Sequence, residues 1–435
     1  MPGPKTQSHD RRDFLRSSSL VGGAVTLGAV HSSAAEATSG KSPNERIVVG
    51  VMGLQRGRSL VGSFARTPNV EVAYLCDVDS GRLASCAKKH ESDSGKAAKR
   101  VDDFRRILDD ASVDVLVCAA PNHWHAPATI LGCDSNKHVY VEKPCSHNPN
   151  EGELMVQAAR KHNRCVQMGT QRRSSDAWIK AIKLLHGGAI GRPYLARAWY
   201  NSLRGSLGKD KFIEVPRHLN YDLWQGPAPR KPYSPSVVHY NWHWRWHWGN
   251  GELGNNGVHT LDLCRWGLNV DYPSLVTSEG GRYAFDDVQE TPDTHTVNFS
   301  FGDRSISWMG LSCNRHSNGF VTFYGTEGTM EVESSGAARI YDRSDKLAAE
   351  HPASGDPQSN HVENFVEAIR NDDSSRLNSE IEIGHKSTML CHLGNISHRA
   401  GRSLHCDTTD GRIQSDAEAM KLWKRDYEAG WEPKV

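Results

Sequence analysis

The chain has 435 residues, more than one ordinary hydrophobic core holds, and this length predicts two domains. With 37% hydrophobic and 24% charged residues, its composition argues against a disordered chain or a membrane bundle. The 52 Lys and Arg residues balance 51 Asp and Glu residues, so the basic excess of a nucleic-acid-binding protein is missing.

The first 37 residues have the pattern of an export signal. Arg11 and Arg12 are followed by Phe14, an apolar run over residues 20–30, and small residues over 33–37. Twin arginines before a short apolar region and an Ala-x-Ala-like site are typical of the Tat route, and the run is too short to span a bilayer. A disordered basic tail with a chance arginine pair is the alternative. We predict a Tat-type signal over 1–37 and a periplasmic or otherwise exported protein.

After a polar linker at 39–45, apolar runs alternate with helical stretches up to about residue 170. The runs lie at 47–52, 70–78, 113–120, 139–141 and 165–168, and a helix is expected at about 151–161. Strands that are apolar on both faces and separated by helices predict a parallel sheet covered on both sides. The fold class is therefore α/β, with a doubly wound Rossmann domain over residues 46–170.

From about residue 172 the pattern changes. A helix at 178–185 precedes longer alternating runs, which lie at 194–200, 294–301, 305–310 and 320–324. These runs predict an open, mainly antiparallel or mixed sheet, and a late helix near 380–399 is expected to pack across it. We assign a substrate-binding α/β domain to 171–400 and a C-terminal extension to 401–435.

Ten cysteines in an exported protein raise the question of disulfides. Cys76, Cys118 and Cys165 lie inside apolar strand-like runs, where thiols pack as small hydrophobic groups. No Cys-x-x-Cys pair occurs, which argues against thiolate metal sites and thioredoxin-like chemistry. A single disulfide stays open as an alternative.

A glycine-rich turn follows the first predicted strand, where a dinucleotide-binding loop belongs. Gly50, Gly53 and Gly57 lie there, but Gln55 occupies the usual middle glycine position and the spacing is one residue short. A plain strand-to-helix turn would also explain this pattern. We predict a cofactor-binding loop formed by Gly53, Gln55, Arg56 and Gly57.

Asp77 closes the second predicted strand, at about the spacing after the loop at which an acid binds the adenosine ribose hydroxyls. A carboxylate there would repel a 2′-phosphate, so NAD is favoured over NADP. An ordinary carboxylate at a strand end is the alternative interpretation.

Two further motifs carry a family resemblance. Ala120-Pro121-Asn122-His123-Trp124-His125 follows the strand at 113–120, and Glu142-Lys143-Pro144 follows the next strand. With the glycine loop, this order resembles the Gfo/Idh/MocA family of glucose-fructose oxidoreductases and inositol dehydrogenases, over roughly residues 46–400. The resemblance implies a cofactor site that includes Pro121, Asn122, His125, Glu142 and Lys143.

The same resemblance implies a catalytic role for Lys143, between nicotinamide and substrate, where its charge would stabilise a developing alkoxide. A cis peptide bond often precedes the proline of this motif in the family, which would aim the lysine. A solvated surface lysine is the alternative.

The second half of the site is expected in residues 251–262. The family pattern places an Asp four residues before a His, and here Asn255 precedes His259. Asn255 can orient a substrate hydroxyl but cannot take a proton, so His259 is predicted to transfer the proton, alone or with Lys143. Without that carboxylate, the pKa of His259 should lie near 6.5 unless burial moves it. Asp262 is expected to brace the helix.

A run of alternating aromatic residues, 242–248, precedes this helix. His243 and His247 have the spacing of two zinc ligands, but no third ligand is evident, and we predict no metal. Trp244, Trp246 and Trp248 are predicted to form a platform for a sugar, with a domain-interface role as the alternative.

Three functions remain open after these observations. The first is an exported oxidoreductase that transfers hydride between a sugar or polyol hydroxyl and tightly bound NAD, because no pool of free NAD exists outside the cytoplasm. The second comes from a further resemblance: Asn255 with Gly257 and His259 resembles a branch of the family that contains NAD-dependent glycosidases, which implies transient C3 oxidation and elimination. The third is a non-catalytic sugar or nucleotide sensor. We expect a carbohydrate as the only partner besides further copies in a homo-oligomer, with no nucleic acid and no membrane segment after signal removal.

Overall fold

The computed structural model describes residues 46–435, so the predicted export signal and the linker at 39–45 lie outside the described residues. The first half of this region forms a six-stranded sheet in the order β3-β2-β1-β4-β5-β6, with every neighbouring pair parallel. Its strands are β1 (Ile47–Met52), β2 (Val70–Cys76), β3 (Lys99–Val101), β4 (Val115–Cys118), β5 (His138–Val141) and β6 (Val166–Met168). The predicted doubly wound parallel sheet is confirmed.

Helices connect these strands and cover the sheet. They are α1 (Gly57–Arg66), α2 (Ser80–Ser94), α3 (Arg105–Leu108), α4 (Asn122–Asp134) and α5 (Pro149–Lys161). Strands β1 and β4 are buried on both faces, as their continuous apolar sequences require. The carboxyl ends of the strands therefore lie at one edge, where β1, β2, β4 and β5 present the predicted cofactor residues.

The second half forms a ten-stranded sheet, preceded by α6 (Asp176–His186). Its order is β15-β14-β13-β12-β7-β10-β9-β8-β16, with β11 paired to β7. The strands are β7 (Pro193–Leu203), β8 (Leu275–Gly281), β9 (Thr294–Ser300), β10 (Ser305–Leu311), β11 (Cys313–Asn314), β12 (Val321–Gly325), β13 (Gly328–Val332), β14 (Ala338–Asp342), β15 (Leu347–His351) and β16 (Leu404–His405). Because β7 and β10 are parallel and the other pairs antiparallel, the sheet is mixed, within the predicted alternatives.

Five further helices follow α6 along the chain: α7 (Tyr221–Gln225), α8 (Val258–Leu268), α9 (Pro357–Arg370), α10 (Ile381–Ala400) and α11 (Ala417–Met420). The predicted late helix is α10, which is buried along most of its length and packs against α5, α8 and β8. Asp262 braces α8 as predicted, since both its carboxylate oxygens accept from Arg173 at 2.9 Å and one accepts from Ser387.

The sheets do not divide the chain at the predicted boundaries. Strand β16 pairs with β8, so the second sheet continues past residue 400. Helix α9 lies far along the chain yet packs into the first domain, where Phe365 makes edge contacts with Phe64 and Tyr140 at 6.4 and 5.8 Å. The Rossmann core is thus completed by residues that follow most of the second domain.

All ten cysteines are free thiols, and nine of them are buried, so no disulfide is formed. Over residues 46–435, no helix combines the length and the apolar character needed to cross a membrane.

Candidate active site

A cleft of about 480 Å³ lies at the carboxyl edge of the parallel sheet, within the range of small-molecule sites. Its Rossmann wall contains the loop after β1, Asp77 after β2, Pro121 and Asn122 after β4, and Glu142 and Lys143 after β5. The opposite wall is formed by residues 239–243, Asn255 and His259. The structure therefore brings the two predicted halves of the site together.

The loop after β1 is shaped for close approach by a ligand. Gly53 has φ +84°, and a Cβ atom there would lie 2.6 Å from the backbone of Ala119 and Ala120. Helix α1 then starts at Gly57 without a side-chain cap and without an acid in its first turn. Such a helix end favours an anion, so the loop fits a pyrophosphate although Gln55 replaces a glycine. The Gln55 side chain instead accepts a hydrogen bond from Arg82.

Asp77 is fixed beside this loop. Its two carboxylate oxygens accept hydrogen bonds from the backbone N–H groups of Leu54, at 2.7 Å, and Asp79, at 2.9 Å. Burial raises the pKa of Asp77, and the two N–H groups oppose that rise. The carboxylate still borders the cleft, where it can accept from ribose hydroxyls. Glycine loop and acid together fit an NAD molecule at this edge of the sheet.

Arg56 and Glu142 join the two loops of the Rossmann wall. Arg56 Nε donates to Glu142 Oε1 at 2.9 Å, and Gln171 approaches the same oxygen at 3.4 Å. The other Glu142 oxygen accepts from the backbone N–H of Lys143 at 3.3 Å. Glu142 therefore holds the Lys143 backbone in place, and its charge is balanced by Arg56.

Lys143 crosses the cleft to the opposite wall. The peptide bond before Pro144 is cis, as the resemblance implied. Lys143 Nζ donates to the backbone carbonyl of Asn255 at 2.8 Å and lies 3.3 Å from the Asn255 side-chain oxygen. Burial lowers the pKa of Lys143, while the nearby Glu142 acts in the opposite direction. An ammonium has three donors, so one N–H remains for a substrate hydroxyl.

Asn255 and His259 lie on one continuous helical segment. Residues Leu253–Gly257 form a turn of π-helix that leads into α8, a feature that occurs frequently at functional sites. A Cβ atom at Gly257 would lie 3.0 Å from Leu253 and Trp308, so the glycine lets this turn pack closely. The turn directs the carbonyl and side chain of Asn255 to Lys143, a contact that the sequence did not predict.

His259 is half-buried in the floor of the cleft, and its Nδ1 atom has no hydrogen-bond partner among residues 46–435. Desolvation lowers the pKa of His259 well below its usual value, and the charges of Lys143, Arg172 and Arg56 lower it further. The sequence predicted a pKa near 6.5 for His259 on the condition that the side chain is not buried. Because the imidazole is desolvated in the structure, its pKa is lowered. Burial and the nearby cations therefore favour the neutral imidazole, the form that can accept a proton.

Asn122 and His125 are more constrained than the resemblance implied. Asn122 Nδ2 donates to Asn250 Oδ1 at 2.8 Å. The two ring nitrogens of His125 lie 2.6 Å from the Pro144 carbonyl and 2.8 Å from the Ala120 carbonyl. His125 borders the cleft, but its hydrogen bonds position the loop that carries Lys143.

The structure does not bring Trp244, Trp246 and Trp248 into the cleft. Trp244 is 1% exposed, with the Arg204 guanidinium 4.3 Å from its ring centre, and Trp248 packs edge-on against Trp224. Trp246 lies in a separate cavity. These side chains therefore have the interface role that was the alternative interpretation.

Two other members of the same run do line the cleft. Trp242 and His243 are stacked with their ring centres 3.6 Å apart, and both border the cavity. Alternation alone could not show which aromatic residues face inward, because residues 241–244 form a short 3₁₀-helix. Within residues 46–435, no group of three or more His, Cys, Asp or Glu side chains is arranged to hold a metal ion.

Sequence reasoning also missed Gln171 and Arg172, which line the cleft directly after β6. Their place at the carboxyl end of a parallel strand was a signal that could have identified them.

A long connection covers the adenosine end of the cleft, and we call residues 216–248 the cover segment. It is tied to the loop after β2 by two backbone hydrogen bonds, from Ser80 to His218 and from Asn220 to Val78. The Asp79 carboxylate lies 2.9 Å from His239 and 3.6 Å from His218. No sequence motif indicated this contact, because it joins segments more than a hundred residues apart.

Comparison with known proteins identifies the class. A family model described as the NAD-binding Rossmann fold of an oxidoreductase family matches residues 47–170, and a model for the C-terminal alpha/beta domain of that family matches residues 197–433. The chain belongs to the Gfo/Idh/MocA oxidoreductase family and has its NAD-binding Rossmann domain.

Individual relatives are distant. Inositol 2-dehydrogenase of Salmonella typhimurium is 27% identical over 228 residues, 52% of this chain and 54% of that protein. Levoglucosan dehydrogenase of Pseudarthrobacter phenanthrenivorans is 26% identical over 267 residues, 56% of this chain and 60% of that protein. The chain thus spans about half the length of the curated relatives it matches.

Two solved structures show the same fold. A levoglucosan dehydrogenase in complex with NADH and levoglucosan gives a TM-score of 0.66 at 18% identity, covering 83% of this chain and 99% of that one. The aldose-aldose oxidoreductase from Caulobacter crescentus gives 0.64 at 20% identity, with coverage of 83% and 99%.

Proposed function

We propose that this protein is an exported, NAD-dependent oxidoreductase that oxidises a hydroxyl of a sugar or polyol. The observation that carries the proposal is the Lys143–Asn255–His259 arrangement, in which an ammonium from the Rossmann wall and an imidazole from the opposite wall border a cleft with a dinucleotide-binding loop. The bound nicotinamide would accept the hydride from the carbon that carries the reacting hydroxyl.

The chain's own groups would handle the proton. Lys143 donates a hydrogen bond to the substrate hydroxyl and stabilises the negative charge that develops on its oxygen. His259 accepts the hydroxyl proton, since its side chain borders the cleft and its environment favours the neutral imidazole. Asn255 keeps Lys143 in position through two oxygens but takes no proton itself.

Export and cofactor retention belong to the same proposal. The twin-arginine pattern at residues 11–12 supports a Tat-type signal and a periplasmic or otherwise exported protein. The cover segment supports tight retention, because its contacts with the loop after β2 close the adenosine end. We further propose that the exported protein is a homo-oligomer.

The proposal is tested on protein purified from the exported fraction. Denaturation should release NAD in stoichiometric amount, and free sugars should change the 340 nm absorbance of the bound cofactor. Replacement of Arg11 and Arg12 by lysine should keep the protein in the cytoplasm. Absence of both NAD and NADP from the denatured protein would contradict tight cofactor binding.

An NAD-dependent glycosidase is the second candidate, favoured by Asn255 at the position of the expected acid. In that cycle the same site would oxidise a sugar hydroxyl transiently, eliminate the aglycone, add water and return the hydride. Aryl glycosides distinguish the two functions, because aglycone release without net cofactor reduction identifies the glycosidase. A bound cofactor that responds to neither free sugars nor aryl glycosides would favour a sensor.

A further inference from the structure

The substrate end of the cleft has more positive than negative side chains. Two ion pairs near Lys143 are balanced: Arg56 with Glu142 at 2.9 Å, which lines the cleft, and Arg204 with Glu252 at 3.0 Å, which lies outside the lining. Lys143 and Arg172 remain, and neither has a carboxylate within 4 Å among residues 46–435.

Arg172 is held in place without being neutralised. Its Nε donates to the Ser334 carbonyl at 3.3 Å, and its guanidinium carbon lies 4.9 Å from the centre of the Phe320 ring. Within the described chain, its two terminal nitrogens have no hydrogen-bond partner. A guanidinium offers five donors in a rigid fork, so most of this capacity is available to a ligand.

The remaining carboxylates of the cleft cannot supply the missing charge. Asp77, Asp102 and Asp103 follow β2 and β3, at the adenosine end. An aspartate at 255 would place a carboxylate oxygen about where the asparagine oxygen lies, 3.3 Å from Lys143 Nζ, but Asn255 is neutral. Oxidised nicotinamide would add a further positive charge to this end.

Two partly desolvated cations therefore line the cleft near the reacting position, and an opposite charge within a few ångströms would be strongly favoured. Both groups act on His259, whose pKa they lower, so they are close to the site of proton transfer. Burial lowers the pKa of Arg172 itself, which agrees with a guanidinium that lacks a counter-ion.

We infer that the substrate is an anionic carbohydrate, whose carboxylate or sulfate group binds the terminal nitrogens of Arg172 while its hydroxyl contacts Lys143. The inference rests on the proposed function, since it places the reacting hydroxyl at Lys143. Planar, bidentate recognition of an oxyanion is the contact that arginine makes best. It makes Arg172 a specificity-determining residue of the site.

The test compares matched sugars by binding and by turnover. Purified holoenzyme is titrated calorimetrically with D-glucuronate, D-galacturonate, their 6-sulfated aldose counterparts and the neutral parent aldoses, and the 340 nm absorbance is followed separately. We expect at least one acidic sugar to bind about 10- to 100-fold more tightly than its neutral parent, the range of one charged hydrogen-bonding contact. The carboxylate and sulfate arms identify which oxyanion the site takes.

Arg172→Gln should remove this preference, and Arg172→Lys should retain part of it. Arg315→Gln is the matched control, because Arg315 is exposed, lies outside the cleft and likewise has no carboxylate within 4 Å in the described chain. The preference should also weaken as ionic strength rises.

Equal binding of acidic and neutral sugars by the wild-type protein would overturn the inference. Loss of bound NAD from Arg172→Gln would overturn it too, because Arg172 would then serve the cofactor. Selective binding of an acidic sugar without cofactor reduction would support the anion site while the proposed oxidoreductase function failed, so the two failures are distinguishable.

Discussion

The two walls of the cleft are built by different means. The Rossmann wall comes from loops that follow the parallel strands, and its key contacts are backbone atoms around Gly53 and Asp77. The opposite wall comes from the cover segment and the π-helical turn before α8, and its contacts are side chains such as His243 and His259. The first wall is thus defined by short local motifs and the second by packing between distant segments.

This difference gives each wall its own signature in mutants. Changes in the Rossmann wall should act on cofactor binding, whereas changes facing the substrate should act on turnover with the cofactor still bound.

Lys143→Ala gives the largest expected effect. Removal of one preorganised charged donor at a developing oxyanion typically costs about 100- to 1,000-fold in rate. Turnover is measured by stopped-flow absorbance at 340 nm, and bound NAD by release on denaturation. Lys180→Ala, at an exposed lysine outside the cleft, serves as the control. Near wild-type rates in Lys143→Ala would show that Lys143 does not stabilise the reacting oxygen.

Asp77→Ala should weaken NAD binding by about 1.5–3 kcal/mol, the value of a hydrogen bond to a charged group. Because Asp77 also accepts from Leu54 and Asp79, the variant should be compared with Asp77→Asn, which keeps the size of the side chain and removes the charge. Isothermal titration of cofactor-free protein with NAD and NADP measures both. An unchanged NAD affinity in Asp77→Ala would show that the carboxylate does not bind the ribose.

Gly53→Ala and Gly95→Ala separate backbone strain from close approach. Both glycines have positive φ, but a Cβ atom meets the Ala119–Ala120 backbone only at Gly53, and nothing lies within 4 Å at Gly95. Strain alone should cost about 1–2 kcal/mol in each variant. Gly53→Ala should lower the free energy of unfolding by a further 1–3 kcal/mol or so, the usual cost of overpacking, as measured by urea denaturation. Equal losses would contradict the tight approach at Gly53.

The smallest expected effect is a pH dependence confined to the acidic side of the wild-type profile. His259 must be neutral to accept a proton, and its pKa is lowered, so turnover should fall only below pH 6.5 as the pH decreases. In His259→Asn the rate should be reduced and this acidic limb should disappear. A limb centred at or above pH 6.5 would contradict the assigned environment, and an unchanged profile in His259→Asn would remove the histidine from the mechanism.

Much of the Rossmann half could be predicted from sequence because its strands are continuously apolar and its site residues follow them directly. The missed helix α9 had a usable signal, since Asp356 caps it and Pro357 occupies its first turn. No sequence signal indicated where α9 packs, because periodicity shows which face of a helix is apolar but not which domain that face contacts.

The inward-facing aromatic residues were unpredictable for a related reason. Trp242 and Trp244 are two positions apart, and only the backbone path through the short 3₁₀-helix decides that the first borders the cleft and the second is buried under Arg204. The unpaired charge of Arg172 could not be predicted either, because the surroundings of its guanidinium come from three separate segments of the chain.

The placement of α9 has a consequence for the order in which the chain is made. A ribosome would finish the six parallel strands by residue 168, but Val362, Phe365 and Leu377, which complete their core, follow about two hundred residues later. At typical synthesis rates of 5–20 residues per second, that interval lasts about 10–40 s. During it the nascent first domain exposes the apolar surface around Phe64 that Phe365 later covers. The growing chain should therefore recruit chaperones in that window, and its two domains should become protease-resistant together rather than one after the other.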